Sequence, residues 1–531
     1  MGGPFPVLPA FWQAMHILRL FLIILSVFMG APILSAQVAP DQAGNVQEAG
    51  LFPSPDVAIR KIVIKGSRIS ADLDRAVKPF EGKAASEAAL REIADVLART
   101  YNLSDIAIFN ISLDSFTPAD GVLQIHVQEG HVEKIQVDGD VTAKRAQRHV
   151  RAIAAPLALS SPLRKSALQR VLRQIADMQG NRVEADMIGG QAPGGLVLRF
   201  TVQRAKPRWS IGFDNGGTQI FGRPQARVGA GYDNVLTGGD RIDMLYSRLL
   251  SSKGEAMGAT YMAPLGVDGL QLSLTAAHGR TELADYELKA RTTTLSTTLS
   301  YPLHSGVATA LSASAALEMQ QSHLDIIGLR LITENVRIGR LGLNWSKANA
   351  QARSEIGVSV SRSIDLPGAQ TSWFITDRRF TKLRVSAAYH RLIDRNVIVR
   401  LLATGQYSKD ALPSAEAFFL GGDSYGRGFE PAIVSGDSGI AGNMELAWAP
   451  PASKSGRRAE FYAYVDGGRV TYNARPISYR ATYGLASTGA GVRVRDGLLR
   501  MDLSANRVIK DPYVGFGDRW RLSVSASLSW P

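Results

Sequence analysis

Four short motifs of this 531-residue sequence place reactive or chargeable side chains at spacings that could do chemistry. Gly422-Asp423-Ser424-Tyr425-Gly426 fits G-x-S-x-G, the pattern that holds a nucleophilic serine on a strand-turn-helix elbow. Here it lies in a Gly-rich connection between strand-like segments, with no helix to follow, so the match reads as chance. Gly436-Asp437-Ser438-Gly439 looks like a serine-protease nucleophile segment, but no surrounding element supplies the other triad members. The eight His are scattered without H-E-x-x-H, and there is no cysteine, so thiolate and Cys-metal chemistry are excluded. No phosphate loop or dinucleotide fingerprint occurs. The sequence is read as that of a non-enzyme with no cofactor and no metal. What remains is a guanidinium between two glycines, in Gly426-Arg427-Gly428-Phe429, and a strand carboxylate, in Tyr464-Val465-Asp466-Gly467-Gly468. Such groups bind and orient.

The elements that would position them alternate with a period of two, the signature of strands. Trp520, Leu522, Val524, Ala526, Leu528 and Trp530 alternate with Arg521 and four serines. Leu499, Met501, Leu503 and Ala505 alternate with Arg500, Asp502, Ser504 and Asn506; Ile440, Gly442, Met444, Leu446 and Trp448 interleave with Asn443 and Glu445. Charged groups such as Arg340, Arg400, Arg500 and Asp502 recur in mid-strand, which suits a wet interior. Residues 207–531 are therefore expected to form a transmembrane β-barrel of about 16 antiparallel strands, apolar outside and polar within. The expected strand centres lie near 211, 229, 245, 259, 274, 296, 313, 342, 357, 385, 401, 444, 462, 491, 503 and 525, with long connections near 280–291, 362–378, 406–438 and 471–486. Tyr462, Tyr464 and Asp466 share one strand face, with Phe461, Ala463 and Val465 opposite. If the apolar set faces lipid, Asp466 points into the lumen. Tyr246, Tyr261, Tyr301, Trp345, Tyr389, Trp448 and Trp530 fit an interfacial girdle.

Upstream, Arg19 precedes the apolar run Leu20–Met29, followed by small residues to Ala36. Residues 1–36 read as a secretory signal, with Met15 an alternative start, and 37–56 as a Pro/Gly/Ala-rich linker. Two α+β modules come next, at 57–130 and 131–206. Each is read as strand, helix, strand, strand, with a glycine (Gly66, Gly139) after the first strand. The first helix shows Leu90, Ile93, Ala94, Leu97 and Tyr101 on one face. The second is expected to start with Ser161 as N-cap and Pro162 at the first helical position, and to bury Leu168, Val171, Leu172, Ile175 and Met178. These modules resemble a pair of polypeptide-transport-associated (POTRA) domains. Their exposed sheet edges suit β-augmentation by an extended peptide.

The net charge of +13 is spread along the chain, which fits a basic surface near anionic lipid and not nucleic-acid binding. The stretch Phe418–Phe429 resembles the conserved loop of the Omp85 superfamily, whose Arg-Gly-Phe core falls on Arg427, Gly428 and Phe429; Gly426 stands where Val or a similar residue is common. Tyr464, Asp466 and Gly468 match that superfamily's barrel-wall motif. With two POTRA-like modules and about 16 strands, the chain resembles the two-partner secretion transporters of the ShlB/FhaC/HecB type (TpsB). The resemblance implies a monomer in the outer membrane of a Gram-negative bacterium, with its POTRA domains in the periplasm. It further implies a loop that folds into the barrel and sets Arg427 on the Asp466 wall. The partners implied are outer-membrane lipid and a secreted exoprotein of the haemolysin or adhesin kind, with no nucleic acid. The alternative reading is an Omp85-type factor that inserts β-barrel proteins into the membrane.

Overall fold

The computed structural model describes residues 57–531 apart from 251–252, 284–286, 307, 373, 454–455, 515 and 517–518. The expected signal and linker (1–56) lie outside the described residues. From there the chain forms two compact units, an α+β unit and a barrel.

In the α+β unit the first module runs β1 (Lys61–Lys65), α1 (Ser70–Val77), α2 (Glu87–Leu103), β2 (Phe109–Thr117) and β3 (Val122–Glu129). The sheet order is β1-β3-β2, with β1 parallel and β2 antiparallel to β3. Ser86 caps α2 by accepting the Ala89 amide at 3.2 Å. Ile93, Leu97 and Tyr101 pack with Leu73 and Val77 of α1 and with Leu123 and Ile125 of β3. Ala94 is exposed, and Ala89 takes its expected buried place. The Tyr101 hydroxyl donates to Glu129 Oε1 at 3.0 Å and lies 2.5 Å from the Ser67 hydroxyl, whose proton it can accept. Burial pushes its phenol pKa up.

The second module repeats the plan with β4 (His131–Gly139), α3 (Lys144–Ala154), α4 (Lys165–Ala176), β5 (Asn181–Gly189) and β6 (Gly195–Arg204), in sheet order β4-β6-β5. Each module thus carries one helix more than expected. α1 offers only Leu73 and Val77 to the core, and α3 is strongly basic, so neither makes a long apolar stripe.

The expected start of the last helix is also corrected. Its N-cap is Arg164, not Ser161, and Pro162 lies before the helix. Tertiary pairing holds that segment extended: the Leu163 amide donates to Gly130 O at 2.7 Å and Leu163 O accepts the Ala107 amide at 2.8 Å. Lys165 Nζ donates to the carbonyls of Tyr101, Asn102 and Ser104 at 3.2, 2.9 and 2.9 Å, at the negative end of α2. Asp105 accepts the amide and hydroxyl of Ser166 at 2.9 and 2.7 Å, at the positive end of α4. Two helix termini of opposite polarity pin the modules together.

The barrel unit contains β7 (Arg208–Asp214), β8 (Gln225–Asp233), β9 (Arg241–Leu249), β10 (Lys253–Leu265), β11 (Leu270–Leu283), β12 (Leu288–Ser305), β13 (Thr309–Ile326) and β14 (Leu329–Ala348). It continues with β15 (Ala352–Ser363), β16 (Thr381–Leu392), β17 (Val397–Tyr407), β20 (Ser438–Trp448), β21 (Arg458–Tyr472), β22 (Ala481–Asp496), β23 (Leu499–Lys510) and β24 (Trp520–Trp530). A small hairpin, β18 (Phe418–Leu420) and β19 (Val434–Gly436), interrupts the series. The sixteen wall strands pair antiparallel, and β24 closes on β7 from Trp530↔Trp209 to Ser525↔Asp214. Every expected strand centre falls inside one of them.

Burial reverses the rule for a soluble protein. On β20, Ile440, Met444, Leu446 and Trp448 are 67, 52, 52 and 50 % exposed, while Asn443 and Glu445 are buried. Lipid would cover the first set and the second lines the interior. Two expected connections shrink. Strands β11 and β12 extend through most of 280–291, and only 473–480 separates β21 from β22. Alternation there continues in polar residues, which hides the strand ends from a hydropathy reading. Tyr246, Tyr301, Trp345 and Trp448 stand exposed on the outer face.

Candidate functional site

The site is built by the long connection 408–437 between β17 and β20, which folds onto the inner wall. Its leading segment is fixed by Glu416, whose carboxylate meets Lys382 Nζ at 2.5 Å and Arg340 Nη2 at 2.8 Å. Ser414 adds a hydroxyl donated to Glu334 at 2.6 Å. The β18–β19 hairpin then seats Phe418, Leu420, Phe429 and Val434 against Ala441, Val470, Leu485 and Val508 of the wall. At the trailing end, Asp437 receives Arg475 through two bonds of 2.8 and 3.0 Å, and also the Leu412 and Asn473 amides at 2.7 Å each. The loop is held at both ends and along its apolar middle.

At the tip, Gly426 has φ of +97°, a left-handed turn that a side chain would strain. The next amide, that of Arg427, donates to Asp466 Oδ2 at 3.0 Å, and the Gly428 amide donates to Ser487 Oγ at 3.0 Å. Ser487 in turn donates to Asp466 Oδ1. Phe429 is 1 % exposed and lies 5.3 Å, ring to ring, from Phe516. Gly468 forms the floor under Leu420: a Cβ there would stand 2.5 Å from Ile440 O and 2.8 Å from Leu420 Cδ2.

The guanidinium of Arg427 makes its hydrogen bond to a second carboxylate, beside the expected Asp466. Its Nη1 donates to Glu445 Oε2 at 2.8 Å, whereas its Nε is 3.9 Å from Asp466 Oδ2. The Tyr464 ring lies 4.2 Å below its Cζ, within cation–π range. The expected pairing of Arg427 with Asp466 is therefore made by the backbone of Arg427, and a bidentate bond to Asp466 is not formed. The Asp466 carboxylate is already occupied by the Arg427 amide and by Ser487. Asn443 pairs with Asp466 and Glu445 with Tyr464 across the β20–β21 ladder, which places Glu445 one inward position along. Sequence reasoning missed Glu445 as a partner. The available signal was its inward phase on β20 and the cost of leaving such a carboxylate unpaired.

Glu445 is also the centre of a wider cluster. Arg493 grips it with Nη1 and Nη2 at 2.7 and 2.8 Å, and Arg400 reaches it at 2.8 Å. Both arginines also bind Glu460, at 2.6 and 2.7 Å, and Arg493 Nε reaches Asp502 at 3.0 Å. Tyr462 donates to Asp502 at 2.6 Å. The two serine motifs are absorbed by loop architecture. In the first, the Gly422 amide donates back to Gly426 O at 3.2 Å, which closes a turn. In the second, Ser438 opens β20 and exchanges hydrogen bonds with Ser408.

The arrangement as a whole fastens a loop to the wall of a polar cylinder. Comparison with known proteins shows what the whole chain is similar to. The family model described as haemolysin secretion/activation protein ShlB/FhaC/HecB matches residues 194–494, more than half of the chain. The outer membrane transporter CdiB of Dickeya dadantii (strain 3937) is 24% identical over 393 residues, 71% of this chain and 69% of that protein. The hemolysin transporter protein ShlB of Serratia marcescens is 25% identical over 419 residues, 74% and 71% of the two chains. The solved structure of CdiB from Escherichia coli superposes with a TM-score of 0.79 at 19% identity, covering 99% of this chain and 100% of that one.

Proposed function

Because this chain belongs to the haemolysin secretion/activation protein family ShlB/FhaC/HecB, outer-membrane two-partner secretion transporters of the Omp85 superfamily, we propose that it exports one unfolded partner exoprotein through its barrel after recognising it in the periplasm. The observation that carries this reading is the closed barrel whose inner wall holds the tip of the loop 408–437 by ion pairs and hydrogen bonds to wall side chains. Such contacts can be broken and remade, which a conduit needs and a purely structural plug does not.

Recognition falls to the α+β modules. Among the described residues β2 and β5 each pair on one side only, so each offers an outer edge nine residues long. An extended segment of cargo adds there as a further strand. Main-chain hydrogen bonds supply affinity, and alternate side chains supply selectivity. The driving force for transit is the folding of the cargo outside the cell. In this reading the transporter works as a monomer, with its outer face in lipid.

The test is Arg427→Ala in cells that also express the partner exoprotein. We expect a folded, heat-modifiable barrel in the outer membrane, with cargo retained in the periplasm. Secretion at the wild-type level from a folded Arg427→Ala barrel would overturn the proposal.

A further inference from the structure

The second α+β module has a feature that transport through the barrel does not use. Residues 141–176 contain eight Lys or Arg and no Asp or Glu, whereas the first module (57–130) balances nine against ten. The acid-free stretch folds as α3 and α4. On α3, Lys144, Arg145, Arg148 and Arg151 are all exposed, and Lys144, Arg148 and Arg151 recur at the spacing that puts them on one stripe. Among the described residues no carboxylate forms an ion pair with Lys144, Arg148 or Arg151. On the sheet side Glu133 accepts the Gln191 amide at 2.8 Å and Asp140 accepts the Arg204 amide at 3.1 Å, and Asp177, the C-cap of α4, pairs with Arg173 at 3.2 Å, away from the α3 stripe.

Helix stability alone would not choose this sequence. Two cations occupy the first turn of α3, where the helix dipole is positive, and like charges stand four residues apart. A layer of negative charge outside the helix would relieve both unfavourable contacts. The apolar face of α3 (Ala146, Val150, Ile153 and Ala154) is buried, so the helix presents charge and does not insert. Val141 before it and Leu159 after it are 76 and 89 % exposed, small apolar contacts at either end of the stripe. β6 ends at Arg204 and β7, a strand of the membrane barrel, begins at Arg208, so three residues tether the module to a protein seated in a bilayer. So short a link keeps the effective concentration of headgroups high.

We propose that the α3 face of the second module binds the anionic phospholipid headgroups of the membrane leaflet nearest to it. Charge complementarity selects the occupant. A fluid anionic surface satisfies a row of exposed, flexible cations with no shaped pocket, and each cation close to such a surface raises occupancy about fivefold. An acidic stretch of exoprotein is the competing occupant.

The absence of cysteine makes the test direct. The whole chain carrying Ala152→Cys, on the exposed side of α3, is labelled with a fluorophore and placed in nanodiscs that contain headgroup-quencher lipid. Fluorescence lifetimes then give the ratio of membrane-apposed to free module. The expected ratio is at least tenfold higher with phosphatidylglycerol than with phosphatidylcholine alone. It should fall to the phosphatidylcholine value in high salt and on combining Lys144→Gln, Arg145→Gln, Arg148→Gln and Arg151→Gln. Lys134→Gln, Arg182→Gln and Arg199→Gln on the sheet should leave it unchanged. A ratio indifferent to lipid charge, or unmoved by the four α3 substitutions, overturns the proposal. So does a ratio that follows added exoprotein and not lipid.

Discussion

Neutralising Glu445 isolates the strength of the loop's fastening. In Glu445→Gln the Arg427 guanidinium loses its nearest anion, at 2.8 Å. Arg400 and Arg493 keep Glu460 at 2.7 and 2.6 Å, and Arg493 keeps Asp502 at 3.0 Å, so the wall itself stays paired. Removing one member of a fully buried pair costs about 3–5 kcal/mol. The Arg427 side chain retains 16 % exposure and its stacking on Tyr464, which lowers the loss to about 2 kcal/mol, within the range of one charge-assisted hydrogen bond. At 1.4 kcal/mol per tenfold, the released population of the loop rises about thirtyfold. Single-channel recording in planar bilayers reads this as open fraction. Arg427→Ala also loses the cation–π contact and should open more, and the double variant should match Arg427→Ala instead of adding to it. If Glu445→Gln keeps the wild-type open fraction while Arg427→Ala opens the pore, or if the two effects add, the assignment of Glu445 as the guanidinium's partner is wrong.

Two further outcomes test the scaffold. Tyr101 has a folded-state pKa raised above its ordinary value of about 10, so its protonated form stabilises the first module below that value and the stabilisation is lost as pH rises through and beyond it. Alkaline unfolding followed by circular dichroism should therefore show a loss above about pH 10 that Tyr101→Phe removes; an identical pH profile in that variant would show that another group is responsible. Gly468→Val would force a side chain against Ile440 O and Leu420, so β18 should lift off the wall and the loop 408–437 should become protease-sensitive in a barrel that still forms. Unchanged protection would mean that the hairpin does not depend on the close approach at Gly468.

The barrel was largely legible because lipid outside and water inside impose one rule on every strand. That rule is visible in runs such as Trp520–Trp530, and it also gave Asp466 its inward phase. The helices α1 and α3 were not legible. Each is short, and α3 is written mostly in cations, so its core contribution of Val150 and Ile153 does not stand out by period. The beginning of α4 was misread because Ser161 and Pro162 obey a local capping rule that the pairing of Leu163 with Gly130 and Ala107 overrides. In the loop, residue types disclosed that Arg427 needs an anion, but two inward carboxylates on adjacent strands were available. Only the positions of Ser487 and the Arg427 amide decide that Asp466 holds the backbone and Glu445 the guanidinium.

The three arginines around Glu445 have a further consequence. If the tip withdraws, the carboxylate left behind has Arg493 on two sides and Arg400 beside it to meet its charge. A berth whose carboxylate is already paired needs no new counter-ion, so it would keep its shape for a returning guanidinium. The wall is thus suited to repeated cycles of departure and return.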